Sequence, residues 1–195
     1  MRPKISFSFC AMICLMAWLD LHFCLWFLLG SLVHELGHLL VMKLCRVPIR
    51  GMQVGAKGAV LEVGLLDYKK ELLCAAAGPA ASILLGVGLL RLAPRPALVS
   101  FLLAAVNLLP LYPLDGGRMA LAGLLLRHEP ERAEKIMHTI TFVTCCILMF
   151  LACWGTICLR AGLWPIFAAF ILLWRAGDRE KQLQFSASKD KIEKK

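Results

Sequence analysis

Six stretches of this 195-residue chain are long and predominantly apolar. They lie at about residues 5–19, 21–44, 72–93, 97–126, 136–159 and 162–176. A helix needs about 20 apolar residues to cross the hydrocarbon core of a bilayer, and most of these stretches reach that length. Charged residues make up only 18% of the chain, below the roughly 25% that is usual in soluble domains. The pattern predicts an all-α polytopic membrane protein with about six transmembrane helices, the first two joined by a tight turn at Asp20.

The 22 Lys and Arg residues are distributed unevenly among the loops between these stretches. With six crossings, only Arg91, Arg95 and Arg160 fall in loops on one side, Arg118 lies within a stretch, and the others fall on the opposite side. Because loops rich in Lys and Arg remain in the cytoplasm, we expect a multi-pass protein of the cell membrane with both termini cytoplasmic. The basic residues form short runs without interleaved aromatic residues, so no nucleic-acid partner is expected.

Two segments differ in composition from the apolar stretches. The segment from Arg46 to Leu66 is too short and too polar to span a bilayer, and it combines several glycines with the alternating residues 60–63. This pattern predicts a short β-strand or hairpin segment on the cytoplasmic side, with an ordinary loop as the alternative. Residues 177–195 are rich in charge and predict a disordered cytoplasmic tail. Residues 1–176 are then one membrane-embedded domain.

The pentapeptide His34-Glu35-Leu36-Gly37-His38 lies inside the second apolar stretch. Two histidines at positions i and i+4 project from one face of a helix, so both rings can bind the same Zn²⁺. The glutamate of this motif activates water and is not itself a metal ligand. Three ionisable groups in an apolar span are costly and are usually functional. We therefore expect His34 and His38 to bind zinc and Glu35 to act as a base.

Asp115 is the best candidate for the third protein ligand that a catalytic zinc needs if one position is to stay open for water. It lies in the fourth apolar stretch, where two prolines and a glycine pair interrupt an otherwise apolar helix. Irregular backbone at membrane depth is tolerated only where it lines a protein cavity or water. Span order puts Asp115 at about the same depth as His34 and His38. The sequence therefore predicts a broken fourth helix that supplies a ligand, with a plain turn as the alternative.

Three motifs together resemble the site-2 protease family of intramembrane zinc metalloproteases, and most closely its sporulation branch. They are HELGH at 34–38, Ala76-Ala77-Gly78-Pro79 in the third stretch, and NLLPLYPLDGGR from Asn107 to Arg118. The resemblance implies that His34, His38 and Asp115 hold one zinc ion per chain and that Glu35 is the catalytic glutamate.

The same resemblance implies a role for two further residues and a class of partners. Asn107 and Pro113 match family positions near the cleft, where Asn107 contacts the substrate backbone or the oxyanion. Residues 1–176 are then a metalloprotease domain that acts on membrane-associated protein substrates within or near the lipid bilayer. In the sporulation branch the substrate is a sigma-factor precursor, and membrane partner proteins inhibit the enzyme. Family members often carry a CBS or PDZ domain, and the charged tail fits neither.

Two other functions are compatible with the same residues. The first is a catalytically inactive zinc-binding membrane scaffold, although the intact Glu35 argues against it. The second is a metal transporter, but transporters usually show inverted repeats and several intramembrane ligands. This sequence has one set of three ligands and no internal repeat. Zinc content measured together with cleavage of a membrane substrate distinguishes the three.

Overall fold

The computed structural model describes residues 4–5, 7–47, 49–55, 58–63, 67–112, 114–158 and 169–170. The elements in chain order are β1 (Lys4–Ile5), α1 (Phe7–Leu19), α2 (Leu21–Leu44), β2 (Ile49–Gly55), β3 (Gly58–Val63), α3 (Tyr68–Leu89), α4 (Pro94–Asn107), α5 (Asp115–Leu125) and α6 (Pro130–Cys158). The predicted last span, 162–176, lies outside the described residues apart from 169–170, which are helical. The predicted tail, 177–195, also lies outside them.

Three of these helices, α2, α3 and α6, are long and apolar enough to cross a membrane. They identify the chain as a membrane protein, while the number of crossings stays a prediction. Helix α2 has the predicted bounds and is N-capped by Asp20, whose carboxylate accepts a hydrogen bond from the Phe23 amide at 3.0 Å. Helices α3 and α6 begin at Tyr68 and Pro130, several residues before the predicted stretches. The reason is that an apolar window marks the hydrocarbon core, whereas a helix continues into polar turns beyond it.

Helix α3 packs against α2, α4 and α5. Small residues at the contacts let these helices approach closely. A Cβ at Gly37 of α2 would lie 2.7 Å from the Ala81 Cβ of α3, and one at Gly86 would lie 2.8 Å from the ring of Phe101 in α4. Helices in a membrane associate through such close van der Waals contact, because lipid tails are as apolar as the side chains. Helix α3 also packs against α5, so it contacts both helices that carry the predicted zinc ligands.

Two antiparallel strands, β2 and β3, occupy part of the segment from Arg46 to Leu66, and β1 pairs parallel to β2, giving the order β1-β2-β3. The sequence places Ile5 at the start of the first helical stretch, whereas the structure pairs it with Val54. A two-residue strand shows no periodicity, and its partner lies far along the chain, so sequence pattern cannot identify it. The position of the sheet relative to the membrane stays a prediction.

The predicted break in the fourth apolar stretch is confirmed, because α4 ends at Asn107 and α5 begins at Asp115. Connecting residues 108–112 fold back over the first turn of α5. A Cβ at Gly116 or Gly117 would overlap backbone atoms of residues 108–112, so only glycine fits at both positions. The buried side chains of Leu111 and Leu114 anchor the connection. The break thus places Asp115 in the first turn of a short helix, against α3.

Candidate metal centre

The structure brings His34, His38 and Asp115 together, and all three are buried, with relative exposures of 5%, 5% and 6%. Asp115 Oδ2 lies 3.0 Å from His34 Nε2 and 3.2 Å from His38 Nε2. The two Nε2 atoms lie 3.3 Å apart. The histidines come from one face of α2 and the aspartate from the start of α5, as the sequence predicts. The cluster therefore presents two nitrogens and one oxygen to a single point.

The outer nitrogen of each histidine ring is held by a group on α3. His38 Nδ1 donates a hydrogen bond to the backbone carbonyl of Cys74 at 2.7 Å, and His34 Nδ1 is hydrogen-bonded to Ser82 Oγ at 3.0 Å. A carbonyl oxygen can only accept, so Nδ1 of His38 carries a proton, and in the neutral ring Nε2 carries a lone pair. Such outer partners fix the tautomer and orientation of metal-binding histidines. Helix α3 thus turns both Nε2 atoms toward Asp115.

These three atoms fit a zinc ion in both chemistry and spacing. Zinc is bound by His nitrogen and carboxylate oxygen at about 2.0–2.2 Å in tetrahedral geometry, which separates neighbouring ligand atoms by about 3.3–3.5 Å. The observed separations of 3.0, 3.2 and 3.3 Å are close to that value. The lone pair on His38 Nε2 also faces a carboxylate oxygen at 3.2 Å. Two electron-rich atoms at this distance are stabilised when a cation or a proton lies between them. Among the described residues, this is the one group of His, Cys, Asp and Glu side chains with such an arrangement.

Gly78 of α3 lies directly against the two imidazole rings. A Cβ at this position would overlap His38 Nε2 and would lie 2.7 Å from His34 Nε2. At Gly78, α3 therefore approaches the two histidine Nε2 atoms more closely than a residue with a side chain could. Gly78 belongs to the Ala-Ala-Gly-Pro motif, which the sequence marks without indicating what it does. Its place in the structure assigns the motif a steric role at this site.

The other oxygen of Asp115 faces a cation. Oδ1 lies 3.4 Å from Nη1 of Arg118, one turn further along α5. Arg118 in turn makes a close ion pair with Glu71 in the first turn of α3, with Nε and Nη2 both 2.8 Å from Oε1. The carboxylate is therefore placed between the imidazole pair and a guanidinium group.

Three other residues were singled out from the sequence, and the structure locates two of them. Glu35 is half-buried on α2 beside the buried His34. Asn107, the last residue of α4, is half-buried, and its Nδ2 donates a hydrogen bond to the Leu103 carbonyl at 2.9 Å. Pro113 lies outside the described residues.

Of four further groups at the site, three have no signal in a single sequence. Ser82 is an isolated serine in an apolar helix, Cys74 contributes a backbone carbonyl, and Glu71 lies just outside the predicted third stretch. Arg118 is visible only as a charge in an apolar stretch, which is costly and therefore a sign of function. That sign was available in the sequence, but the partner of Arg118 was not.

Comparison with known proteins agrees with this geometry. Residues 87–148 match the model of peptidase family M50. The match includes Asn107 and Asp115, whereas the HELGH pentapeptide precedes it. A zinc metalloprotease of Methanocaldococcus jannaschii, MJ0392, is 29% identical over 121 residues, which are 55% of this chain and 36% of that protein. The chain thus spans about a third of the length of this curated relative.

The fold has a counterpart among solved structures. The site-2 protease from Methanocaldococcus jannaschii superposes with a TM-score of 0.67 over 89% of this chain and 88% of that chain, at 22% sequence identity. The superposition shows that the two chains share a fold, and in this chain that fold contains the buried His-His-Asp cluster.

Proposed function

We propose that this chain is an intramembrane zinc metalloprotease that hydrolyses peptide bonds of membrane-associated proteins within or near the bilayer. The observation that carries the proposal is the convergence of His34, His38 and Asp115 on one point inside a helical membrane protein. Each histidine has an outer partner of the kind that orients zinc ligands. In this proposal the three residues hold one zinc ion, and Glu35 lies beside them as the base.

The chemistry follows from the roles of these side chains. When bound, zinc acts as a Lewis acid and lowers the pKa of a bound water toward about 7. Glu35 takes a proton from the water that attacks the scissile carbonyl and delivers it to the leaving amine. Glu35 follows His34 directly in α2 and is half-buried, which is compatible with a base that acts beside the centre. Gly78 lies against both imidazole rings, so a larger side chain there would occupy the space beside the proposed zinc ligands.

Asn107 is proposed to bind the substrate. One N–H of its amide is used in the hydrogen bond to Leu103, and an amide group has a second N–H that can donate to a carbonyl oxygen of the substrate. Pro113 is proposed to shape the same cleft, on the resemblance to the family alone. A substrate helix must unwind before its carbonyl is accessible, and an extended segment can pair with the edge of β3 by strand addition.

The decisive variant is Glu35→Gln, which keeps the size of the side chain and removes the base. Purified protein should retain one zinc per chain, while cleavage of a co-expressed membrane substrate should fall by at least about 100-fold, the usual contribution of a general base. Glu129→Gln, an exposed glutamate before α6, is the matched control and should cleave normally. Full activity of the Glu35→Gln protein would refute the assignment.

The same preparation, with zinc uptake measured as well, distinguishes the proposed protease from the two alternative functions. An inactive scaffold would bind zinc and cleave nothing even with Glu35 intact. A transporter would move zinc into proteoliposomes, and its transport would depend on the three ligands but not on cleavage. Zinc content, cleavage and zinc uptake measured on one preparation therefore give a different combination for each function.

We further propose six membrane crossings with both termini in the cytoplasm, and a substrate that reaches the site from that side. The distribution of Lys and Arg supports the orientation. The resemblance to the sporulation branch supports a sigma-factor precursor as substrate and membrane proteins as inhibitory partners. Co-expression with such a precursor should release a shortened soluble factor, and Glu35→Gln should abolish the release. Cleavage of a single-pass anti-sigma factor in its place would assign the enzyme to another branch.

A further inference from the structure

The two oxygens of the Asp115 carboxylate have different partners. Oδ2 lies 3.0 and 3.2 Å from the two histidine Nε2 atoms, whereas Oδ1 lies 3.4 Å from Nη1 of Arg118. A cation beside Oδ1 holds that oxygen away from the imidazole pair. The carboxylate therefore offers a single oxygen to the metal centre.

Arg118 is itself fixed by Glu71. Its Nε and Nη2 both lie 2.8 Å from Glu71 Oε1, a shorter separation than the 3.4 Å to Asp115. Glu71 lies in the first turn of α3, where the partial positive charge of the helix N-terminus favours a carboxylate. Arg118 lies one turn after Asp115 in α5, so the ion pair joins the first turns of α3 and α5. The side chains are only about a quarter exposed, at 25% and 26%, which limits screening by solvent.

We propose that Arg118 and Glu71 are positioning residues that hold Asp115 in this single-oxygen arrangement at the zinc site. The inference rests on the proposed function, because it assumes that Asp115 is a zinc ligand. Glu71 balances the charge of Arg118, which would otherwise move closer to Asp115 and compete with the metal for its carboxylate. The planar guanidinium presents several N–H donors at once and can contact two carboxylates together, which a lysine ammonium cannot do in the same geometry.

The test is the transfer of zinc from the purified full-length chain to a chelator. Removing a partner of a metal ligand typically costs about 10- to 100-fold in metal affinity or activity. We expect zinc to be held more weakly by about that factor in Arg118→Leu, and by a smaller factor in Arg118→Lys. Arg127→Leu, at an exposed arginine just after α5, makes the same substitution away from the site and should match the wild type.

Glu71→Gln provides a second variant that is nearly isosteric and avoids a large change in packing. It should also weaken zinc binding, because Arg118 loses its close carboxylate and turns toward Asp115. The value of kcat should fall in both variants while KM stays close to that of the wild type, since neither residue is placed at the substrate. Zinc release at the wild-type rate in both Arg118→Leu and Glu71→Gln would overturn the inference.

A purely structural role, in which the ion pair only fastens α3 to α5, predicts a different result for a charge swap. Glu71→Arg combined with Arg118→Glu keeps opposite charges between the helices but puts a carboxylate beside Asp115. We expect the double variant to regain the thermal stability lost in the single variants and to remain defective in zinc retention. Recovery of both properties would show that the pair only fastens the helices.

Cobalt substitution gives a readout that does not depend on activity. The visible absorption of bound Co²⁺ reports its ligands, so Arg118→Leu should alter the spectrum and Arg127→Leu should not. A wild-type chain that bound neither zinc nor cobalt would refute the proposed function as well as this inference. A wild-type chain that binds zinc but an Arg118→Leu protein with an unchanged spectrum and release rate would refute the inference alone.

Discussion

Ser82 Oγ lies 3.0 Å from Nδ1 of His34, and both side chains are buried, although 48 residues separate them in the chain. The hydrogen bond crosses from α3 to α2 and ends on the ring nitrogen opposite the one that faces Asp115. Ser82, on α3, therefore helps to orient the ring of His34, a proposed zinc ligand on α2. The packing of α3 against α2 therefore helps to set the orientation of the His34 ring at the site.

Removing the hydroxyl of Ser82 should weaken the metal site more than the fold. We expect Ser82→Ala to lower zinc affinity by about 10- to 100-fold, because His34 loses the group that fixes its ring. Ser100→Ala is the matched control, since Ser100 is equally buried but donates to the Pro96 carbonyl within α4. Competition with a zinc-binding dye measures the affinity. Equal zinc affinities in the two variants would contradict the role of Ser82.

Gly78 and Gly88 lie on the same helix and provide a matched pair of alanine substitutions. Gly78→Ala puts a methyl group into the two imidazole rings and should abolish stoichiometric zinc binding. A Cβ at Gly88 meets no described atom within 4 Å, and alanine is favoured over glycine in helices by about 1 kcal/mol. Gly88→Ala should therefore bind zinc normally and melt at the same or a higher temperature. Zinc analysis and thermal melting in detergent check both expectations.

Alanine substitutions at the three proposed ligands should have effects that substitution of another polar residue of α2 does not have. We expect His38→Ala, His34→Ala and Asp115→Ala to lose zinc and proteolysis together, because a site with two protein ligands does not hold zinc tightly. His22→Ala alters an exposed histidine of α2 and should retain both properties. Metal analysis of the purified proteins makes the comparison. One zinc per chain in the Asp115→Ala protein would require a different third ligand.

The orientation of the chain in the membrane can be tested with reporter fusions. The clustering of Lys and Arg predicts that a reporter inserted after Lys70 or Lys135 stays in the cytoplasm. A reporter inserted after Arg91 should be exported. A phosphatase that is active only outside the cytoplasm distinguishes the two locations. Phosphatase activity after Lys70 would contradict the predicted topology.

The sequence identifies the three proposed ligands of this site, but it does not identify the groups that hold them in place. His34 and His38 are related by helical spacing, and Asp115 is marked by the helix break, so each carries a local signal. The partners of these side chains carry none. Ser82 looks like any small residue in an apolar helix, and the Cys74 carbonyl belongs to the backbone, which residue type does not mark.

The ends of the helices are also predicted less well from the sequence than their apolar centres. The apolar stretch that predicts α3 starts at residue 72, whereas the helix begins at Tyr68. The missing turn is polar and contains Glu71, the partner of Arg118. Hydropathy identifies the part of a helix that contacts lipid, and the residues just beyond it are those that can pair with charges at a buried site. The polar first turn of a membrane helix is therefore a useful place to search for such partners.

The separation of the ligands along the chain has a consequence for biosynthesis. His34 and Asp115 are 81 positions apart, and α3 and α4 lie between them. A nascent chain that has reached only α4 has inserted Glu35 and two histidines but has no third ligand. The proposed hydrolytic centre becomes complete only when α5 docks on α3. If the proposed function holds, a chain inserted only as far as α4 cannot hydrolyse the membrane proteins around the insertion machinery.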